Sequence, residues 1–445
     1  MLVAAVKPEK EELLDAEDLR DAWSLLVPED RLESFRALER TDAEDLFLSL
    51  PSRDQAELLL MIPVPERRSW LRLLAPDDAA DLIQGVSPED REPLLSLLDD
   101  PTRREVSGLL AYAEDDAGGL MNPRYARVRP EMTVEEAFTY LRRQAAERSQ
   151  SLPYAYALDP EQRLLGVVSY RELFTARQDQ TVRDVMRTEL VTAPEAMDQE
   201  DVSRLFQTNR LLAIPVVDAE GRMKGVVTLD DVVDVVREEA TEDIQKIGGT
   251  AALDAPYLRV SPLDMIRKRA GWLSILFVGE SLTAVAMGHF EAEIAQAVIL
   301  ALFVPLVISS GGNSGGQATT LVIRAMALGE VRLRDWWRVI QREFFAGLGL
   351  GAILAAIGIA RIVTWEALFH TYGPHYLVLA VAVAVSLVGV VLWGTLVGSM
   401  LPFVLRRLGL DPASASAPFV ATLVDVTGLV IYFTTARIVL AGKLL

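Results

Sequence analysis

The chain has 445 residues, 63 of them acidic and 44 basic, with a formal net charge of −19 at pH 7 and no cysteine. This charge argues against nucleic acid as a partner, since phosphates would repel it; the lack of cysteine excludes disulfides and thiolate metal sites. The charge is uneven: residues 260–445 carry 13 Lys and Arg against 10 Asp and Glu, leaving 31 and 53 for residues 1–259. The acidic part suits attraction of cations.

The N-terminus, with Lys7, Glu9, Lys10, Glu11 and Glu12, has no apolar core and does not read as a cleavable signal peptide. Between about Asp15 and Leu110 a short unit recurs, as at Pro28-Glu29-Asp30, Thr41-Asp42-Ala43-Glu44, Pro76-Asp77-Asp78 and Ser87-Pro88-Glu89-Asp90. Proline at the first helical position and carboxylates in the first turn are helix-start signals, so the spacing predicts stacked short helices, a small superhelix over residues 1–115.

A second repeat is sharper. Asp159-Pro-Glu-Gln-Arg-Leu-Leu-Gly-Val-Val-Ser169 returns 59 residues later as Asp218-Ala-Glu-Gly-Arg-Met-Lys-Gly-Val-Val-Thr228. Each copy reads as strand, turn, strand and helix, and residues 116–240 resemble a tandem pair of CBS domains, α+β regulatory modules that often bind adenine nucleotides. The resemblance implies phosphate and ribose contacts at Ser169, Arg171 and Glu172 in one copy and at Thr228 and Asp231 in the other, with ATP or another adenine nucleotide as a regulator.

A polar segment, taken with Arg267-Lys268-Arg269 as a connecting, plug-type helix over 241–270, leads into five hydrophobic stretches at about 271–290, 294–312, 344–363, 376–402 and 418–440. Each is long enough for a helix to cross a bilayer, so residues 271–445 read as a five-helix membrane domain. Lys and Arg flank the first, second and fourth stretches on one side, while the loops Gly288–Glu293 and Trp365–His375 have none. The positive-inside rule then puts the N-terminal domains in the cytosol and the C-terminus outside, with Arg437 and Lys443 in discord.

Two features of these stretches carry chemistry. The run Ser309-Ser310-Gly311-Gly312-Asn313-Ser314-Gly315-Gly316-Gln317 reads as a break in the second span, which within the membrane would expose carbonyls beside a pore; the alternative is a plain loop at the membrane surface. In the fifth, Ala417-Pro-Phe-Val-Ala-Thr-Leu-Val-Asp-Val-Thr-Gly428 sets Asp425 in an apolar run, where a carboxylate usually faces an ion route; the alternative is a structural Asp held by Thr422 or Thr427. Glu280 is a second intramembrane acid, read as an ion site, a proton-sensitive group or a residue paired with a polar neighbour.

This order of helical repeat, CBS pair, Gly-Gly-Asn-Ser-Gly-Gly-Gln and Ala-Thr-Leu-Val-Asp-Val-Thr-Gly resembles the MgtE family of magnesium channels and transporters. The resemblance implies a homodimer in the plasma (inner) membrane with a central path lined by spans two and five, here Gly311, Gly312, Asn313, Gly315, Ala417 and Pro418, to which Glu280 is added as an intramembrane acid. Asp425 would be the main Mg²⁺ ligand, helped by the Ala421 carbonyl. Regulatory Mg²⁺ would bind Asp198, Glu200, Asp231, Asp234, Glu239, Glu242 and Asp243, with Asp78 or Asp81 from the helical domain, and close the pore. The sequence departs from many members at Ala417, Gly316 and Ala318, where larger polar residues are common. Competing readings are a divalent cation exchanger driven by H⁺ or Na⁺ and a membrane-tethered nucleotide sensor. No nucleophile–base pair or phosphate loop stands out, and His289, His370 and His375 lack metal-site spacing, so an enzyme is not expected.

Overall fold

A computed structural model describes residues 15–23, 25–147, 153–253, 255 and 257–441. The Lys7–Glu12 segment and Lys443 lie outside the described residues. The chain divides into two compact units, residues 1–238 and 239–445.

Among the described residues, the first unit opens on eight short helices, from Ala16–Ala22 to Asp100–Leu109. Proline in the first turn and acids at the helix start recur as expected, for example in Pro28–Ala37, Pro76–Gln84 and Pro88–Leu97. The proline lacks an N–H that would be orphaned there anyway, and the carboxylates favour the positive end of the helix. Leu46, Phe47, Leu58, Leu59, Leu82 and Ile83 are fully buried in one apolar core. The same core takes in Val202, Phe206, Ile214 and Val227 from the second CBS-like copy. The helical repeat is therefore packed onto that copy.

Strands β1 (Ala126–Val128), β2 (Tyr154–Leu158) and β3 (Leu164–Ser169) form one sheet, and β4 (Ala193–Pro194), β5 (Ala213–Val217) and β6 (Met223–Thr228) form another. In each sheet the first pair is parallel and the second antiparallel. The internal repeat extends to the fine geometry. The register of β2 on β3 slips between Ala157 and Leu158, and that of β5 on β6 between Val216 and Val217, positions 59 residues apart. The β6 strand is followed by the 19-residue helix Leu229–Ile247, which carries Asp231, Asp234, Glu239, Glu242 and Asp243 on successive turns.

Among the described residues, the second unit contains five helices long and apolar enough to cross a membrane. They are Pro262–His289, Val304–Ala327, Trp336–Phe369, Tyr376–Arg407 and Ala417–Leu440, called the first to fifth spans below. Two expectations are corrected. Residues 241–270 are not one connecting helix: the Leu229–Ile247 helix ends, Gly249 turns the chain at φ +74°, and the first span starts at Pro262 behind the cap Ser261.

Nor is the glycine-rich run a break. The second span is an unbroken helix through all four glycines, which serve as contact surfaces on two faces. A Cβ on Gly394 of the fourth span would lie 2.3 Å from the Gly311 carbonyl oxygen, and one on Gly398 would lie 2.2 Å from that of Gly315. One turn further on, the Thr319 hydroxyl donates to the Gly398 carbonyl at 2.8 Å. In a membrane, where apolar side chains gain little by leaving lipid, such close backbone contact supplies the packing that holds helices together.

Candidate functional site

The fifth span begins at a polar cap. The Ser416 hydroxyl accepts the Phe419 amide at 3.3 Å and the indole N–H of Trp272, from the first span, at 3.0 Å. A Cβ placed on Gly249 would lie 3.2 Å from Pro418 Cγ, so the segment entering the membrane unit packs against this cap. From there Ala417, Ala421 and Asp425, four residues apart, share one face of the helix. That face meets the other glycine face of the second span: Gly316 lies against Ala417 and Gly312 against Ala421, with the Gly312 Cβ position 3.9 Å from Asp425 Oδ1. Two departures from the family pattern, Gly316 and Ala417, thus touch each other.

The structure separates the proposed pore residues. Gly312 and Ala417 adjoin the Asp425 face. Gly311 and Gly315 do not line it; a side chain there would run into Val390 and Gly394 of the fourth span. Asn313 is exposed on the outer side of the second span, in a polar row with Ser309 and Gln317, and its amide faces the Ser309 hydroxyl at 3.4 Å. Pro418 belongs to the first turn and its cap. Ala421 is half-buried, and the helical ladder engages one lone pair of its carbonyl while leaving the other.

Neither threonine holds Asp425. The Thr422 hydroxyl donates to the Pro418 carbonyl at 3.1 Å, and Thr427 donates to the Leu423 carbonyl and accepts the Trp393 indole N–H at 2.8 Å. The carboxyl partner of Asp425 is Glu280, which lies within hydrogen-bonding reach. On insertion scales a central charged residue costs about 3 kcal/mol. Two acids are brought together within the spans.

A second acidic region lies in the first unit. Asp77, Asp78 and Asp81, on Pro76–Gln84, share an electrostatic neighbourhood with Asp230, Asp231 and Asp234. Burial first, then Asp78, Glu114, Asp231 and Glu238, push Asp81 up to about 7. Burial likewise raises Asp231 to about 6, against the lowering effect of its hydrogen bond with Thr228. Asp77 is driven well above the ordinary carboxylate range by burial and by Asp78 and Asp231. Its Oδ1 accepts the Asn122 amide at 2.7 Å, a buried pair that sequence patterning missed because Asp77 reads as one more helix-start acid.

The other regulatory candidates are dispersed. Asp198 caps the helix Gln199–Asn209 by accepting the Glu200 amide at 2.8 Å, and Glu200 pairs with Arg204 at 2.5 Å. Glu242 pairs with Lys246, whose ammonium also meets Asp411 Oδ2 at 2.7 Å. Glu239 and Asp243 lie on the same helix as Glu242. Among the described residues, no three acidic or histidine side chains are gathered closely enough to hold a metal ion.

The nucleotide candidates have a structural task. Ser169 and Glu172 form a reciprocal capping box at the start of Tyr170–Thr175, and Glu172 also accepts Arg187 at 2.6 Å. The Thr228 amide and hydroxyl donate to Asp231 at 3.1 and 2.5 Å in the equivalent place. Arg171 follows Ser169 in the first turn. A Ser or Thr three residues before an acid is a helix-start signature in its own right.

Comparison with known proteins accounts for this order of parts. A family model described as MgtE, divalent cation transporter, matches residues 304–435, the MgtE intracellular N domain matches 14–115, and the CBS domain matches 117–179 and 182–238. The magnesium transporter MgtE of Thermus thermophilus is 44% identical over 77% of this chain and 74% of its own length. That of Enterococcus faecalis is 32% identical over 75% and 71%. A crystal structure of the cytosolic domain of the Mg²⁺ channel MgtE in complex with ATP covers 50% of this chain and 90% of its own, at 40% identity and a TM-score of 0.46. With matches on every part and such relatives along most of its length, the chain belongs to the MgtE family of divalent cation transporters.

Proposed function

We propose that the protein conducts Mg²⁺ into the cell, down its electrochemical gradient, along a path beside Asp425. The observation that carries this reading is the convergence of Ala417, Ala421 and Asp425 on the glycine face of the second span. The exposed row Ser309, Asn313 and Gln317 supports it, since lipid offers these groups no partners and a wet path or a second copy does. Mg²⁺ sheds water reluctantly and prefers octahedral oxygen ligands. One chain contributes one Asp425, and a two-fold homodimer would contribute two around an axis. Magnesium transport by the relatives agrees with this ion.

In this reading residues 1–115 and 116–240 form cytosolic sensor domains, 241–270 connect them to the pore domain 271–445, and the C-terminus is external. The ion pair of Arg437 with Glu293 at 3.8 Å eases the discord of an external arginine. Cytosolic Mg²⁺ would bind among the acids of Pro76–Gln84 and Leu229–Ile247, relieve their repulsion and favour the closed pore. Two carboxylates 5 Å apart repel by roughly 3 kcal/mol at an effective dielectric of 20, and swinging a gate from 1:99 to 99:1 takes about 5.5 kcal/mol. Two or three bridged clusters therefore suffice. An adenine nucleotide that used Ser169 and Glu172 would have to open their capping box, which ATP titration of a Ser169→Ala variant tests.

Flux measured in proteoliposomes with imposed Mg²⁺, H⁺ and Na⁺ gradients tests the main claim. Flux that follows the Mg²⁺ gradient alone supports a channel. Flux that needs an opposing H⁺ or Na⁺ gradient replaces it with the exchanger. The tether reading is disfavoured because an anchor has no use for a paired carboxylate in its spans.

A further inference from the structure

The first span gives the Asp425 site something the fifth span alone does not. None of its residues is buried within the chain, and Glu280 is exposed on it. The residue before Glu280 is Gly279, whose Cβ position lies 3.0 Å from the Thr422 methyl carbon. A Cβ at position 279 would press on the Thr422 methyl, which would have to give by a few tenths of an ångström. Glycine allows the approach and brings the Glu280 carboxyl within hydrogen-bonding reach of Asp425. On the other side of Asp425, Gly312 presents no side chain. No ion pair with a basic residue engages either carboxyl among the described residues.

We propose that Glu280 is a second carboxylate of the ion site, delivered to Asp425 by the Gly279 contact, and that it sets preference for divalent over monovalent cations. The proposal rests on the reading of Asp425 as the pore carboxylate and names what selects the ion there. The physical reason is the scaling of Coulomb attraction with ion charge: each fixed negative charge attracts a divalent ion twice as strongly as a monovalent ion at the same distance. Ion hydration offsets part of this attraction, more so for Mg²⁺. A site with one carboxylate per chain leaves hydration with more weight, and a second shifts the balance toward the divalent ion. Glu280 is thus a specificity-determining residue, and Gly279 a positioning residue acting through it.

The test uses the full-length protein in proteoliposomes, with Mg²⁺ flux followed over a range of Mg²⁺ concentrations and Na⁺ flux followed at very low Mg²⁺. Glu280→Gln is expected to raise the half-saturating Mg²⁺ concentration about tenfold and to admit Na⁺ that the wild type excludes, as loss of one fixed charge per chain demands. Glu280→Asp, which keeps the charge on a shorter stem, is expected to fall between the two. Wild-type half-saturation and Na⁺ exclusion in Glu280→Gln would overturn the proposal, as would a loss of selectivity that is equal in Glu280→Gln and Glu280→Asp. If Glu280→Gln does not fold, Glu280→Asp carries the test: intermediate values support the proposal and wild-type values overturn it. Asp425→Asn separates the two readings. Abolished Mg²⁺ flux in that variant beside an unchanged Glu280→Gln removes only Glu280, whereas wild-type flux in Asp425→Asn removes the pore reading itself.

Discussion

Replacing Gly398 by alanine would put a methyl carbon 2.2 Å from the Gly315 carbonyl oxygen and 2.8 Å from its carbon. The second and fourth spans would have to separate by about 1 Å or more to restore ordinary contact. Overpacking of this kind costs about 1–3 kcal/mol, and the Thr319 bond to the Gly398 carbonyl would lengthen with it. Gly349, in the third span, has nothing within 4 Å of its Cβ position, so the same substitution there meets no clash and gains helix propensity. Thermal unfolding in detergent, read from tryptophan fluorescence, should therefore fall for Gly398→Ala and hold or rise for Gly349→Ala. Mg²⁺ flux should fall with the first alone, because the adjoining face of the second span carries Gly312 beside Asp425. Equal melting of the two variants would refute the role given to the glycine contacts.

Other outcomes follow from the acidic and capping residues. Because Asp77, Asp78, Asp81 and Asp231 are all raised in the folded protein, their contribution to stability is complete below the unfolded carboxylate value and is lost as pH rises through their folded values, about 6 for Asp231 and about 7 for Asp81. Without Mg²⁺, amide exchange in residues 76–84, corrected for its intrinsic rate, should rise between pH 5 and pH 8; saturating Mg²⁺ should suppress the rise, and a flat profile would contradict the linkage. Neutralising Asp231, Asp234 and Asp243 together should leave transport resistant to cytosolic Mg²⁺, and unchanged inhibition would remove the sensor. Lys246→Met frees Glu242 and Asp411 from their shared cation, so the Mg²⁺ concentration for half-inhibition should fall about threefold, the size of a partly exposed ion pair; a rise would count against Mg²⁺ competing with Lys246. Ser169→Ala should destabilise the protein by about 1 kcal/mol through loss of a cap, and no change in melting would deny the capping box its weight.

Features with a short period were open to sequence reasoning. Proline and acids at helix starts marked the N-terminal repeat, and the 59-residue echo located the paired strand–turn–strand units, whose matching register slips only the structure shows. Long apolar runs marked the spans, although polar ends such as Arg406 and Arg407 hid their full helical length. Glycine misled the reading of the second span, because the same residue that breaks a helix in water lets helices touch in lipid. Only a partner helix decides between these uses, and Gly394 and Gly398 lie some 80 residues away in sequence. Asp425 stood out by itself in an apolar run, whereas its pairing with Glu280 and that of Asp77 with Asn122 depend on contacts between distant segments. Ser169-x-x-Glu172 was ambiguous for a different reason: a nucleotide contact and a capping box draw on the same residue types at the same spacing.

The most direct test of the account is Mg²⁺ flux through the wild type and Asp425→Ala in proteoliposomes, with Mg²⁺ varied on the cytosolic side. The account predicts that flux vanishes in the variant and, in the wild type, declines as cytosolic Mg²⁺ rises. Equal flux in the two proteins would contradict the central place given to Asp425.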